Sequence, residues 1–519
     1  MRRKTALLLL LLMASVHAQP VAAASGFDPH LIANVYVSAL AFMAPRTLEP
    51  VPVSQLTIWG LHGLTALDPN IATGSRDNKL QLVDRGRLLA ERPPPHGDDI
   101  EGWAALASEF AVVAANSSNP VRRAGTQGVI QSFFDELFNH LDPYSRYVGP
   151  AEANEDRERR AGEAGAGLQL IQHGSSIAVL AAVADGPGAR AGIQPGDVIL
   201  SVDGQSTLGK DARLVSRWIN GPEQTNVTLA WRAHDGRRYS ADVVRALVPP
   251  ETVYPQRADN MQVIQITSFN NSTAAHLAEA IQDALAATHP PDGFVLDLRG
   301  NPGGVLRQAV EAADELLPAG VVVTTAGRDP DAVRIWRSTR GDLAEYLPVV
   351  VLVDGRTASA AEILAAALAD RGRAVVVGSS TLGKGLVQTI APMPDGGELY
   401  ITWSRVLAPR GWPIQGLGVL PQVCTSLGQD SLNFQLASLV HGKDAMAPAV
   451  AAERAARAPL TPAAILAIRN ACPAAVGRDM DMDAARVLIR DPASYASALL
   501  SPIRESTDYS GVTLQKMDH

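Results

Sequence analysis

The spacing of apolar positions changes along the chain, and each change predicts a different kind of element. Over residues 26–150 apolar side chains recur at helical intervals, as in LIANVYVSALAFM and IQSFFDELFNHL. This predicts an N-terminal helical region, interrupted at 91–99 by the proline-rich ERPPPHGDD. A charged stretch, AEANEDRERRAGEAGAG, leads into short apolar runs bounded by Gly, Pro and Asp: IAVLAAV, GDVILSVDG, NVTLAWRA and RYSADVVRA. These predict a small β-rich domain over 160–248. From 250 to 425 strands and helices alternate: GFVLDL, VLRQAVEAADELL, PVVVLVDG, SAAEILAAALADRG and AVVVG. Continuous Val/Leu strands separated by helices predict a mostly parallel sheet buried on both faces. STAAHLAEAIQDALAA places Leu277, Ala280, Ile281, Ala284 and Leu285 on one helix face behind a Ser/Thr cap. Residues 426–519 are Ala-rich and predict a C-terminal helical region without a legible motif. The expected class is therefore multidomain α/β.

The first residues change where this protein is expected to work. Arg2, Arg3 and Lys4 precede an apolar stretch from Ala6 to Val16, and Val16-His17-Ala18 is a small-residue cleavage site. Residues 1–18 thus read as a signal peptide, with VAAAS at 21–25 a second place to cut. The alternative is an uncleaved anchor, but the run falls short of the ~20 residues needed to span a bilayer. Export, most simply to a periplasm, and no stable membrane span are expected. In an oxidising compartment the two cysteines, Cys424 and Cys472, are expected to pair as a disulfide, two buried thiols being the alternative.

Composition narrows the chemistry. With 519 residues, 46% apolar and 19% charged, the chain cannot be largely disordered. At ~150 residues per domain it should form three or four domains. A net charge of −8, from 45 basic and 53 acidic residues, argues against nucleic acid as a partner. Two cysteines exclude a Cys-based zinc site, and the eleven histidines show neither His-x3-His nor His-Glu-x-x-His spacing, so no metal and no cofactor are expected.

Gly378 to Lys384 matches G-x-x-x-x-G-K, but Gly385 stands where Mg²⁺ binding needs Ser or Thr, and GLVQTIAP alternates like a strand. A nucleotide is not the expected ligand, which leaves Lys384 for another task. No Asp or Glu occurs from Arg371 to Pro394. A lysine buried there would have its pKa drawn down from ~10.4 by desolvation, making it a general base. Ser359 lies 25 residues earlier, between a buried strand and the first turn of an apolar helix, where free N–H groups can stabilise an oxyanion. A plain N-cap is the alternative. DLRGNPGG at 297–304 adds a Gly turn at the carboxyl end of a neighbouring strand, and the N–H of Gly303 or Gly304 could be a second oxyanion donor.

LDPYSRYV, DLRGNPGG, TASAAEI, GKGLVQT and RVLAPRGWPIQGLGVLPQV occur in the order found in the carboxyl-terminal processing (tail-specific) protease family, and the chain resembles that family over ~130–425. The resemblance implies a serine endopeptidase with a core of the crotonase/ClpP-like kind. It makes Ser359 the nucleophile, Lys384 the general base and Gln388 the residue that orients the lysine amine. The oxyanion hole would be the N–H groups of Ala360 and of Gly303 or Gly304. The β-rich domain resembles a PDZ domain. GAGLQL, holding Gly165, Ala166, Gly167, Leu168 and Leu170, matches the loop that receives a peptide carboxylate, and ARLVSRWI, holding Leu214, matches the groove helix. The partners implied are unfolded or tail-exposed protein substrates, with room for an adaptor protein. Departures stand at Asp354-Gly355-Arg356-Thr357, where the family usually shows Asn-x-Gly-Ser, at Ala166, and at Leu382, where Phe is common. A non-catalytic PDZ scaffold and a small-ester acyl hydrolase are the alternative functions.

Overall fold

The structure, a computed structural model, describes residues 27–183 and 186–502, so the signal segment read over 1–18 lies outside the described residues. The chain divides into two compact units.

The first unit is built on α1 (Pro29–Met43), α2 (Val53–Leu61), α3 (Gly63–Leu67), β1 (Ile71–Arg76), β2 (Lys79–Asp84), β3 (Arg87–Arg92), α4 (Ile100–Ser117), α5 (Asn119–Phe138) and β4 (Arg146–Val148). The helices are amphipathic as their spacing predicts, and Ile32, Val35, Ala39, Leu40, Phe110, Ile130 and Phe134 are fully buried. A purely helical reading of 26–150 is corrected over 71–92, where the chain forms an antiparallel meander in the order β1-β2-β3. The cause is local. Asp77-Asn78 and Arg85-Gly86 each take positive φ at both positions, as two-residue hairpin turns require. The chain returns to this unit at 391–399, where Asp395 accepts from the Tyr147 hydroxyl.

The second unit, which also takes in Pro45–Pro50, continues with α6 (Pro150–Ala161) and β5 (Glu163–Gly165). The β-rich domain follows: β6 (Leu168–His173), β7 (Ser176–Ala182), α7 (Pro187–Arg190), β8 (Val198–Val202), β9 (Gln205–Ser206), α8 (Ala212–Ile219), β10 (Asn226–Arg232) and β11 (Arg238–Val244). Its sheet runs β11-β10-β8-β7-β6, leaving β6 at an edge. β12 (Ala246–Val248) closes the domain by pairing with β5.

The core then adds β13 (Val253–Ala258), β14 (Met261–Ile266), α9 (Thr273–Ala286), β15 (Gly293–Asp297), α10 (Leu306–Asp314), β16 (Gly320–Gly327), β17 (Arg334–Ser338), β18 (Val349–Val353), α11 (Ala360–Asp370) and β19 (Val375–Gly378). After these come β20 (Leu386–Pro392), β21 (Glu398–Leu407) and β22 (Val423–Cys424), then α12 (Gln429–Val440), α13 (Ala447–Ala455), α14 (Pro462–Arg469), α15 (Asp479–Arg490) and α16 (Pro492–Ala498). One sheet has the order β13-β14-β15-β18-β19-β22, parallel from β14 onward, with β13 antiparallel at its edge. A second, antiparallel sheet includes β17-β16-β21-β20.

The valine-rich strands are buried on both faces because each face has its own cover. Ile264, Leu296, Val351 and Val376 pack with α9, α10 and α11. Alternate residues Val263, Val295, Val350 and Val375 pack instead against Leu432, Leu439, Ala484, Ala485 and Leu488 of α12 and α15. At roughly 1.5–3 kcal/mol per buried aliphatic side chain, the C-terminal helices supply a full face of the core. Cys424 and Cys472 are disulfide-bonded, with Cα atoms 5.8 Å apart.

Candidate active site

Ser359 stands between β18 and α11 with φ 55° and ψ −116°. For a residue with a Cβ this is sparsely populated backbone, of the kind that persists where surroundings over-determine it. A sharp strand-to-helix turn of this sort lifts a serine hydroxyl clear of the sheet, and Ser359 is half-buried.

Three side chains fix the turn. Asp354 accepts from the N–H groups of Gly300 (2.9 Å), Arg356 (3.0 Å) and Thr357 (3.1 Å) on one oxygen, and from Gly477 (3.2 Å) on the other. Burial works to raise its pKa, but the backbone N–H groups of Gly300, Gly477 and Arg356 outweigh this and hold it below the usual carboxylate range. Thr357 Oγ1 donates to the Leu298 carbonyl at 2.9 Å, tying the turn to the strand end of β15. Asn301 accepts from the Ala358 N–H on its carbonyl (2.9 Å) and donates from Nδ2 to Ile266 (2.7 Å).

Glu362, in the first turn of α11, is the residue that sequence reasoning passed over. Its carboxylate is fully buried. Oε2 accepts from the Ser359 N–H at 2.7 Å and from the Lys384 N–H at 2.9 Å. Oε1 accepts from the Gly383 N–H at 2.7 Å and from the Thr381 hydroxyl. One carboxylate oxygen therefore joins the backbones of two residues 25 apart in sequence. Burial pushes the Glu362 pKa up, against the Thr381, Gly383, Ser359 and Lys384 donors that favour the ionised form. The stretch 371–394 has no acid of its own, and α11 brings one onto it. The signal was present within TASAAEI, as a Glu three residues after the serine.

The two glycines differ. The Gly303 N–H donates to Asn301 Oδ1 at 2.8 Å and is thereby occupied. The N–H groups of Gly304 and Ala360 have no acceptor among the described residues. A Cβ on Gly303 would lie 2.7 Å from the Ser359 Cβ and 2.9 Å from the Ala360 nitrogen, so only glycine lets this loop close on the serine. Lys384 is half-buried. Gln388 lies on β20, where its Nε2 donates to Thr402 Oγ1 (3.1 Å) and Leu386 O (3.3 Å).

The C-terminal region holds these loops from behind. Arg469 on α14 donates to Leu417 O (2.6 Å) and Thr381 O (2.8 Å). The carbonyl of Ala475 accepts from the Gly355 N–H at 2.8 Å and from Ser379 Oγ at 3.0 Å.

In the β-rich domain, Gly165 belongs to β5 and pairs with Ala246, while Ala166 is fully buried in the domain core. Gly167, with φ +70°, Leu168 and Gln169 line a cleft of about 400 Å³ that Arg159 of α6 also borders. The N–H groups of Ala166 and Gly167 have no acceptor among the described residues. Leu168 and Leu170 on β6 are part-buried against the domain core. Leu214 lies half-buried on α8, which packs against β6. No helix among the described residues is long and apolar enough to cross a membrane.

Residues 260–425 match the model of peptidase family S41 and residues 179–232 match a PDZ domain. The chain is 33% identical to a carboxy-terminal-processing protease of Bartonella bacilliformis over 302 residues, 57% of this chain and 69% of the relative. It is also 33% identical to the carboxy-terminal processing protease CtpA of Bacillus subtilis over 303 residues, 58% of this chain and 63% of that protein. Among solved structures, the photosystem II D1 C-terminal processing protease aligns at 25% identity and a TM-score of 0.36, covering 73% of this chain and 98% of that one. The identity to the Bartonella protease, across more than two thirds of its length, means that the chain belongs to the carboxy-terminal-processing serine proteases of family S41 and carries a PDZ domain.

Proposed function

We propose that the protein is an exported endopeptidase that cleaves unfolded or tail-exposed proteins with Ser359 as nucleophile and Lys384 as general base. The observation that carries this reading is the shared Glu362 oxygen, which ties the Ser359 and Lys384 backbones to one point. The neutral Lys384 amine takes the hydroxyl proton as Ser359 Oγ attacks the peptide carbonyl carbon. The oxyanion that forms is received by the N–H groups of Ala360 and Gly304, which have no other acceptor among the described residues. The C–N bond then breaks, the proton passes from Lys384 to the leaving amine, and water resolves the acyl-enzyme. Gln388 acts as a positioning residue for the lysine. The core would be of the crotonase/ClpP-like kind, in keeping with its mainly parallel sheet.

The PDZ domain receives the substrate's C-terminus. The tail adds as a strand along the β6 edge, its carboxylate meets the N–H groups of Ala166 and Gly167, and its last side chain enters the groove between β6 and α8. Deleting 160–248 should change both rate and substrate choice. The Cys424–Cys472 bond supports an oxidising, periplasmic location.

The test is cleavage of an unfolded protein with an apolar C-terminal tail by the mature chain, by Ser359→Ala and by Lys384→Ala. Cleavage by wild type and none by either folded variant is expected. Activity surviving in Ser359→Ala would overturn the assignment.

A further inference from the structure

The first unit carries a cluster that peptide hydrolysis does not use. His62 sits at the C-cap of α2, between two glycines that seat the α2–α3 junction on α5. A Cβ on Gly60 would lie 2.4 Å from the Phe133 ring, and one on Gly63 would lie 2.2 Å from the Ser132 carbonyl oxygen. Ser132 Oγ donates to the Gly63 carbonyl at 2.7 Å, which locks the contact. Held there, His62 meets the end of α5, where Glu136 of the last turn and His140, two residues past the helix, lie four apart in sequence. The ligand-capable atoms of His62, Glu136 and His140 all lie within 4.8 Å of one another. Glu136 Oε1 is 3.6 Å from His140 Nε2. The His140 ring stacks on Trp59, with centroids 4.7 Å apart and planes 11° from parallel, so packing sets its orientation. The His62 ring has no hydrogen-bond partner among the described residues.

We propose that His62, Glu136 and His140 form a zinc site that staples α2 to α5. Two imidazoles and one carboxylate are a donor set suited to Zn²⁺, whereas Ca²⁺ and Mg²⁺ prefer all-oxygen shells. Tetrahedral bonds of ~2.0–2.1 Å need ligand atoms roughly 3.3 Å apart. Water would fill the fourth position. The three ligands come from two packed segments, so the ion binds the folded unit better than the unfolded chain and stabilises it by linkage.

The test uses the full chain without a polyhistidine tag, stripped with a chelator and titrated with Zn²⁺, alongside His62→Gln, Glu136→Gln and His140→Gln. One Zn²⁺ per chain is expected, with affinity falling at least ~10-fold in each variant, since even a lost outer partner costs that much. Zinc should raise the melting temperature of wild type and leave that of the variants unchanged. Co²⁺ bound to wild type should show d–d absorption without thiolate charge transfer, a readout that depends on no variant. Failure of wild type to bind zinc stoichiometrically would overturn the proposal. So would unchanged binding by His62→Gln, which would leave only an exposed Glu136/His140 pair.

Discussion

The Ser359 turn and the β6 edge of the PDZ domain treat backbone polar groups in opposite ways. Around Ser359 eight N–H groups are assigned to three buried side chains: Asp354 takes those of Gly300, Arg356, Thr357 and Gly477, Asn301 that of Gly303, and Glu362 those of Ser359, Gly383 and Lys384. Among the described residues the N–H groups of Gly304 and Ala360 have no acceptor; Ala360 follows the serine and Gly304 follows the glycine that closes on it. Along β6 one whole side of the strand has no neighbouring strand among the described residues. A site proposed to meet a transition state is over-determined except where charge would develop. A site proposed to accept peptide tails is left open along its length.

Removing the acceptor that defines the first region should have the largest effect. Glu362→Ala strands four donors, two buried and two half-buried, so a loss of at least about 3 kcal/mol in stability is expected. Peptide hydrolysis should fall by roughly 100-fold or more, because the backbones of the proposed nucleophile and base are no longer held together. Glu362→Gln should fall between this variant and wild type. Thermal unfolding and a turnover assay read both quantities, and a wild-type rate in Glu362→Ala would show that the shared oxygen is incidental. Arg469→Ala removes the donor to Thr381 O and Leu417 O and should cost about 1–2 kcal/mol with a smaller drop in rate. Leu170→Asp addresses the second region alone. Binding of an apolar tail peptide should weaken by about tenfold, or 1.4 kcal/mol, while hydrolysis of a short untagged peptide stays as in wild type. Equal losses in both assays would mean that the two regions are not separable. The mildest expectation concerns acid. Because the Asp354 pKa is depressed in the folded state, its contribution is present above the unfolded carboxylate value of ~3.9 and is lost as pH falls below it. Asp354→Asn should flatten the acid side of a melting-temperature profile, and an unchanged slope would count against that role.

Much of the core was legible because its signals are local. The strand read in GFVLDL is β15, those in PVVVLVDG and AVVVG are β18 and β19, and the alternation in GLVQTIAP is β20. The hairpins at 71–92 were missed because helical spacing on either side masked two short turn signals, Asp77-Asn78 and Arg85-Gly86. Glu362 looked like an ordinary helix residue because its partners lie beyond the next strand. The Glu136/His140 pair is visible as ELFNH, but its third member, His62, is brought in only by the packing of Gly60 and Gly63. The Ala-rich C-terminal helices announced that they were helices, and nothing in their composition said which face they would cover.

That cover has a consequence for the order in which the protein can be made. The second face of the parallel sheet waits for residues 432–489, and the backs of the Ser359 and Lys384 loops wait for Arg469, Ala475 and Gly477. A chain emerging from its N-terminus presents Ser359 long before these residues arrive. The Ser359 turn is completed only when most of the C-terminal region has followed it, so an unfinished copy carries the candidate site residues without the contacts that hold their loops.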